Sequence, residues 1–316
     1  MTTLLLAHPS THAHENPLGH PERIDRIKSV EKALSSSSFD TVIRAEAPLG
    51  KDEDIIRAHD AEYVQMIRDA APKQGWSQFD PDTFMSPGSL EAVLRGVGAA
   101  AAAVDAMFKK EASNAFCAVR PPGHHAEARR AMGFCFFNNA AIAAHYARAR
   151  YSAERVAVVD FDVHHGNGTQ DIFWSDPNLL YGSTHQMPFY PGTGARSETG
   201  VGNIFNAPLR AGDDGRVFRE AMRSVILSAV DRFAPDLVII SAGFDAHHRD
   251  PLGGLQLIED DFVWATLELM QSADKHAGGR VVSVLEGGYD LAALASCVSA
   301  HVQALIHGTG EIRTGD

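Results

Sequence analysis

The stretch VAVVDFDVHHGNGTQ, residues 156–170, places two aspartates and two adjacent histidines directly after an apolar run. Ionisable groups at the end of a buried strand are costly unless each is compensated. Side chains alternate along a strand, so Asp160, Asp162 and His164 share one face, while Phe161 and Val163 point into packing on the other. Same-face neighbours are roughly 6–7 Å apart, a spacing that a curling strand end closes around one ion. A lone Asp or His here reads as a hydrogen-bonded structural residue; the D-x-D-x-H pattern shifts the reading to metal ligation. Asp245 ends the apolar stretch DLVIISAGFD and, alone, reads as a cap or turn residue. With the first cluster it completes Asp162, His164 and Asp245, three ligands with an open fourth position, the pattern of a catalytic zinc site. An ion so held acidifies water and polarises a carbonyl.

Two further strand ends carry chemistry. In RPPGHHAE, Pro121, Pro122 and Gly123 stiffen and then turn the chain before His124 and His125. With the metal already supplied, these histidines are free for proton transfer, and amide hydrolysis needs both a base and an acid. A carboxylate behind a histidine fixes its tautomer. Asp160 suits one histidine and Asn167 the other; the alternative is one catalytic and one packed histidine. Two glycines precede Tyr289 in EGGYD and let the phenol project from a tight turn, where it suits a developing oxyanion. His165 lies off the ligand face and reads as a structural turn residue.

These residues need a scaffold that brings strand ends together. Strand candidates are TLLLAH, TVIRAE, AFCAVR, RVAVVDFD, NLLYGSTH, NIFNAPL, DLVIISAGFD and RVVSVLEGG. Helical patterns lie between them: PERIDRIKSVEKAL with Pro21 as its start, SLEAVLRGVGAAAAAVDAMFKK, GRVFREAMRSVILSAVDRF, and EDDFVWATLELMQSADKHAGG with a terminal Gly pair suited to a C-cap. Near-continuous Val/Ile/Leu strands imply burial on both faces. Alternation with helices implies a parallel sheet covered on both sides. An open sheet is favoured over a closed barrel, because a long glycine-rich loop, not a helix, joins NLLYGSTH to NIFNAPL. In open sheets, ligands bind beyond the carboxyl ends of the strands, where the motifs above sit.

Bulk properties narrow the partners. The chain has 316 residues, 45% hydrophobic, enough for a large core, and no linker divides it. We read residues 1–316 as a single domain. A net charge of −12 argues against a nucleic-acid partner; it serves solubility first and a cationic substrate second. Cys117, Cys135 and Cys297 form neither a disulfide framework nor a cysteine zinc site, which fits a reducing cytoplasm. MTTLLLAHPS reads as a strand rather than a signal peptide, and no apolar stretch has the length of a membrane span.

Together, RPPGHHAE…MGFCFFNNAAIAA, DFDVHHGNGTQDIF, YPGTG, SAGFDAHHRDPLGG and LEGGYD resemble the zinc-dependent histone deacetylase family, specifically its class II branch and the bacterial deacetylase-like amidohydrolases. The resemblance runs in order from HPSTHAHENPLGHPER to Tyr289. It implies the α/β arginase–deacetylase fold with a central eight-stranded parallel sheet flanked by helices. It implies removal of an acyl group from an acylated lysine or other acylated amine. The implied Zn2+ ligands are Asp162, His164 and Asp245. His125 is the implied general base and acid, His124 an electrostatic helper backed by Asp160, and Tyr289 the residue polarising the carbonyl; Asn167 stands behind His125. Implied channel walls are Gly133, Phe134, Tyr190 and Leu252. An implied structural K+ uses Asp160, Asp162, His164, Ser183 and Thr184. Arginases of this fold hold two manganese ions, but Gly166 and His247 stand where two of their aspartates would, so one metal is expected. Leu252 in DPLGG resembles the peptide-deacetylating members, with acetylpolyamines as the alternative substrate. The N-terminal His8, His14 and His20 are expected to serve as turn and hydrogen-bonding residues near the rim.

Overall fold

The computed structural model describes residues 1–308. All eight expected strands form: β1 (Thr3–Ala7), β2 (Ile43–Glu46), β5 (Asn114–Cys117), β6 (Val156–Asp160), β7 (Leu179–Gln186), β8 (Ile204–Leu209), β9 (Leu237–Ala242) and β10 (Val281–Leu285). They join one parallel sheet in the order β2-β1-β5-β10-β9-β6-β7-β8. A separate antiparallel hairpin, β3 (Ser77–Asp80) and β4 (Thr83–Met85), was not anticipated. Its strands are short and their sequence, SQFDPDTFM, lacks a clean alternation.

The central strands are buried on both faces, as their composition requires. Val156 and Val158 pack on one side and Ala157 and Val159 on the other, in two separate cores. Removing each such aliphatic side chain from water contributes about 1.5–3 kcal/mol. On the first side lie α2 (Asp52–Ile55), α3 (Ala61–Asp69), α4 (Ser89–Phe108), α5 (Asn139–Tyr151) and α6 (Asn167–Phe173). On the second lie α1 (Ile24–Leu34), α7 (Gly215–Ala221), α8 (Ser228–Phe233), α9 (Glu259–His276) and α10 (Leu291–His307). The exposed edge strand β2 carries Arg44 and Glu46, charges that discourage further strand pairing.

Three local expectations need correction. First, α1 starts at Ile24, not at Pro21; the residues before it are drawn away because Glu22 is pulled into a buried ion pair. Second, the helix expected over GRVFREAMRSVILSAVDRF runs without a gap from Gly215 to Phe233, but its middle, Met222–Leu227, is π-helical between α7 and α8. Third, β6 ends at Asp160, so strand alternation does not extend to His164. Beyond Asp160, each carboxylate holds the N–H two residues on: Asp160 Oδ1 accepts from Asp162 N (3.1 Å) and Asp162 Oδ1 from His164 N (2.9 Å). This coil still sends Phe161 and Val163 into the core.

The strand order decides the site. β5, β10, β9 and β6 are consecutive in the sheet, so the four loops bearing His124/His125, Tyr289, Asp245 and Asp162/His164 leave side by side from its carboxyl edge.

Candidate active site

Asp162, His164 and Asp245 converge: one donor atom from each lies within 4.8 Å of the others, and all three residues are buried. His164 Nδ1 is 3.1 Å from Asp162 Oδ1 and 3.3 Å from Asp245 Oδ2. Donors about 2.0–2.2 Å from a tetrahedral zinc stand about 3.3–3.6 Å apart, so the spacing suits that ion. Asp245 Oδ1 accepts from Val163 N at 2.8 Å, while Oδ2 is buried with no hydrogen-bond partner. Gly287 closes the cradle. Its N–H donates to Asp162 Oδ2 at 2.9 Å, and a Cβ there would sit 2.1 Å from Asp245 Oδ2. Burial and the neighbouring Asp162 push Asp245 up to about 7. Burial opposes a charged His164, but the neighbouring Asp162 and Asp245 carboxylates outweigh it and hold the ring up to about 10. Two buried carboxylates, one with an orphaned oxygen, form a donor set that fits a divalent cation.

Beside this cluster stand the tandem histidines, their ring centroids 4.0 Å apart. His124 Nδ1 donates to Asp160 Oδ2 and His125 Nδ1 to Asn167 Oδ1, each at 2.9 Å. Burial opposes a charged His124, but Asp162 and Asp160 hold it up to about 10. Burial, together with His124 and His164, drives His125 well below the ordinary histidine value. The two surroundings therefore differ: the carboxylates beside His124 favour its protonated form, and the surroundings of His125 favour a neutral ring.

A cavity of about 400 Å³ leads down to these groups, walled by Gly133, Phe134, Phe189, Tyr190, Leu252 and Tyr289, with His20, Pro21, Asp82 and Pro251 nearby. A larger open depression of about 640 Å³ by Arg57, His145 and Arg148 reaches none of them. Gly133 has φ +56°, and a Cβ there would lie 2.5 Å from the His125 ring, so glycine lets the wall approach the histidine. Tyr190 meets His125 edge-on at 5.2 Å. The Tyr289 ring faces Phe134 at 5.9 Å, and the Arg26 guanidinium lies 4.7 Å from its centroid. Burial pushes the Tyr289 phenol well above its usual value, so it remains a hydrogen-bond donor.

The histone deacetylase domain profile matches residues 20–305 of this architecture. The chain belongs to the histone deacetylase family. It is 39% identical over 293 residues to the histone deacetylase-like amidohydrolase of Pseudomonas aeruginosa, covering 91% of this chain and 77% of that protein. It is 36% identical over 298 residues to a probable deacetylase of Archaeoglobus fulgidus, covering 92% and 82%. Among solved structures, the HDA15 HD domain matches with a TM-score of 0.92 at 34% identity, over 98% of this chain and 89% of that one. The fold is the arginase–deacetylase fold, and the protein is a hydrolase acting on amides.

Several residues that build this deacetylase's site were not anticipated. Glu22 accepts from Arg120 Nε and Nη2, both at 2.7 Å, and from Arg26 Nη1 at 3.0 Å, all fully buried. Arg120 also donates to the Thr11 and His14 carbonyls at 2.6 Å. Arg26 donates to the carbonyls of Gly288 and Glu286 at 2.6 Å. Asp250 Oδ2 accepts from Tyr289 N at 2.6 Å and Asp290 N at 3.1 Å, so the Tyr289 loop is held from both sides. Glu286 accepts from Gly123 N at 2.6 Å and His124 N at 3.1 Å, and burial raises it to about 7. Phe189 stacks on His164 at 5.3 Å. The available signal was the charge of Glu22, Arg120 and Glu286 next to prolines, glycines or apolar runs.

The N-terminal histidines and His165 are hydrogen-bonding residues. His8 Nδ1 accepts from Ser10 N at 3.1 Å. His14 meets Ser89 Oγ at 2.6 Å. His20 donates to the Asp82 carbonyl at 2.9 Å and packs on Phe134 at 4.7 Å, which puts it at the channel rim. His165 meets Thr193 Oγ1 at 2.7 Å and Gln170 Oε1 at 3.1 Å, pinning the glycine-rich loop between β7 and β8. A second cluster, His247, Glu259 and Cys297, also brings donors within 4.8 Å. There, His247 Nδ1 accepts from Arg249 N at 3.2 Å, which puts the ring proton on Nε2 facing Glu259 at 3.4 Å. That arrangement is a contact with Glu259 rather than a ligand set.

Proposed function

We propose that this deacetylase removes an acetyl or other short acyl group from an acylated lysine-like amine, using Zn2+ held by Asp162, His164 and Asp245. The observation that carries the reading is His125, its Nδ1 held by Asn167, beside a buried Asp₂His cluster at the foot of an aromatic channel. Zinc, when bound, acidifies water and polarises the acyl carbonyl. His125 Nε2 takes the proton of the attacking water and returns it to the departing amine, so one residue serves as base and then acid. His124, kept charged by Asp160 and Asp162, stabilises negative charge near the reacting carbon. The Tyr289 phenol donates to the carbonyl oxygen as it becomes anionic. Gly133, Phe134, Tyr190 and Leu252 enclose the apolar stem of the substrate.

We extend the reading to a structural K+ at the backbone oxygens of Asp160, Asp162 and His164 with Ser183 and Thr184. Asp160 and Ser183 are register partners. His185 Nε2 donates to the Gly194 carbonyl at 2.9 Å, so its Nδ1 accepts the Ser183 hydroxyl proton at 2.8 Å. The lone pairs of Ser183 Oγ stay available to a cation. The three buried free thiols support a cytoplasmic setting. Among the described residues, no helix is long and apolar enough to cross a membrane. The reading of 1–316 as one catalytic domain includes residues 309–316, which lie outside the described residues.

Zinc-loaded protein is expected to turn over a fluorogenic acetyl-lysine substrate and to be inhibited by a hydroxamate; no hydroxamate-sensitive turnover would refute the reading. Tyr289→Phe should lower kcat by about 10²–10³-fold, as loss of an oxyanion donor does elsewhere, with zinc content unchanged. A second reading, deacetylation of an acetylpolyamine, is favoured by Asp82 at the channel. Burial and Asp80 raise the Asp82 carboxyl to about 6, and a cationic amine would relieve that strain. Specificity constants for acetylputrescine and an acetyl-lysine peptide separate the two readings.

A further inference from the structure

We propose that Glu127 is a positioning residue for His125, acting through Asn167 to hold the histidine in the tautomer a base requires. This rests on the reading of His125 as the proton acceptor. His124 is backed by a carboxylate, Asp160, but His125 is backed by an amide, Asn167. The difference matters. Both oxygens of a carboxylate accept, so either orientation holds an imidazole N–H. An amide has one accepting and one donating end, and a half-turn of its plane reverses what it offers. With Oδ1 facing His125 Nδ1, the ring proton sits on Nδ1 and Nε2 keeps its lone pair. With the NH₂ end there, the proton moves to Nε2 and that nitrogen can no longer take one from water.

The amide does not orient itself; its surroundings select the face. Asn167 Nδ2 donates to Glu127 Oε1 at 2.7 Å, and Met132 Sδ and the His125 carbonyl lie 3.3 and 3.5 Å from it. All three are acceptors, and only Glu127 offers a carboxylate, at the shortest distance of the set. Asn167 itself is buried, so no bulk water competes for the amide. Glu127 is anchored through its backbone: its N–H donates to the Arg130 carbonyl at 3.0 Å, and its own carbonyl accepts from His59 Nδ1 at 3.0 Å. The buried His59 can donate there because its Nε2 accepts from Asn138 N at 2.9 Å. The Glu127 backbone is therefore held two residues from the histidine, with its carboxylate against the amide.

The test is a double-mutant cycle with a spectroscopic readout. Glu127→Ala is expected to lower kcat by about 10–100-fold, the range for residues supporting a catalytic ligand, with KM within about twofold. Glu127→Gln, which restores an accepting oxygen, should recover most of that loss. In an Asn167→Asp background, where either orientation accepts, Glu127→Ala should cost less than about threefold. Histidine 15N chemical shifts should place the His125 proton on Nδ1 in the parent and move it to Nε2 in Glu127→Ala. Equal losses in both backgrounds, or an unchanged His125 tautomer in Glu127→Ala, would overturn the proposal. A parent protein with no deacylase activity would overturn the proposed function instead, and the tautomer measurement would still decide the role of Glu127.

Discussion

A His125→Ala enzyme loses about 10²–10⁴-fold in kcat, the contribution of a positioned general base and acid, while its zinc content stays that of the parent. The loss is large because no neighbour can stand in. His124 is the nearest imidazole, but Asp162 and Asp160 hold it protonated up to about pH 10, so near neutrality it has no lone pair to offer. The same electrostatics set the pH dependence. On the proposed reading His125 acts when unprotonated, and burial together with the charged His124 beside it holds it well below 6.5. Turnover is therefore present above that depressed value and lost as pH falls through it, so the acid limb lies below the ordinary histidine range. Steady-state kinetics across pH, with metal analysis of the variant, check both points. Activity within tenfold of the parent would remove His125 from the reaction.

Glu22→Ala is expected to destabilise the fold by about 3–5 kcal/mol, the cost of leaving buried charge without its partner. Two fully buried guanidiniums, Arg26 and Arg120, share this one carboxylate. Scaled to a chain of this length, the midpoint of thermal unfolding falls by roughly 5–8 °C. Burial works against the Glu22 carboxylate, but Arg120 and His14 more than offset it and hold the group well below its usual value. Its stabilisation is therefore complete above the unfolded-state value near 4.5 and is lost as pH falls through the lower folded value. Parent and variant should converge in stability as the buffer is acidified below that range. A variant unfolding within 1 °C of the parent at neutral pH would show that the pair contributes nothing net.

Local patterns made much of this protein legible before folding. The runs richest in Val, Ile and Leu became the central strands, because burial on both faces of a parallel sheet demands that composition. The convergence of Asp162, His164 and Asp245 and the pairings of His124 with Asp160 and His125 with Asn167 were equally readable, since each rests on residue type and position at a strand end. The alternation used to reach Asp162 and His164 named residues that do converge with Asp245, but for an incomplete reason. The strand stops at Asp160, and side-chain-to-backbone hydrogen bonds, not pleating, turn the next residues inward.

What lay beyond reach was long-range. Nothing local tells that β10 enters between β5 and β9 and so delivers Tyr289 beside His125. Glu22 and Arg120 are 98 residues apart, and Gly287 and Asp162 are 125 apart. A glutamate in HPER looks like an ordinary helix-start residue until the fold removes water from it and supplies two arginines. Periodicity and residue type act over a few positions. Strand order, buried charge pairing and the orientation of an amide such as Asn167 exist only once distant segments pack together and shared desolvation makes each depend on the others.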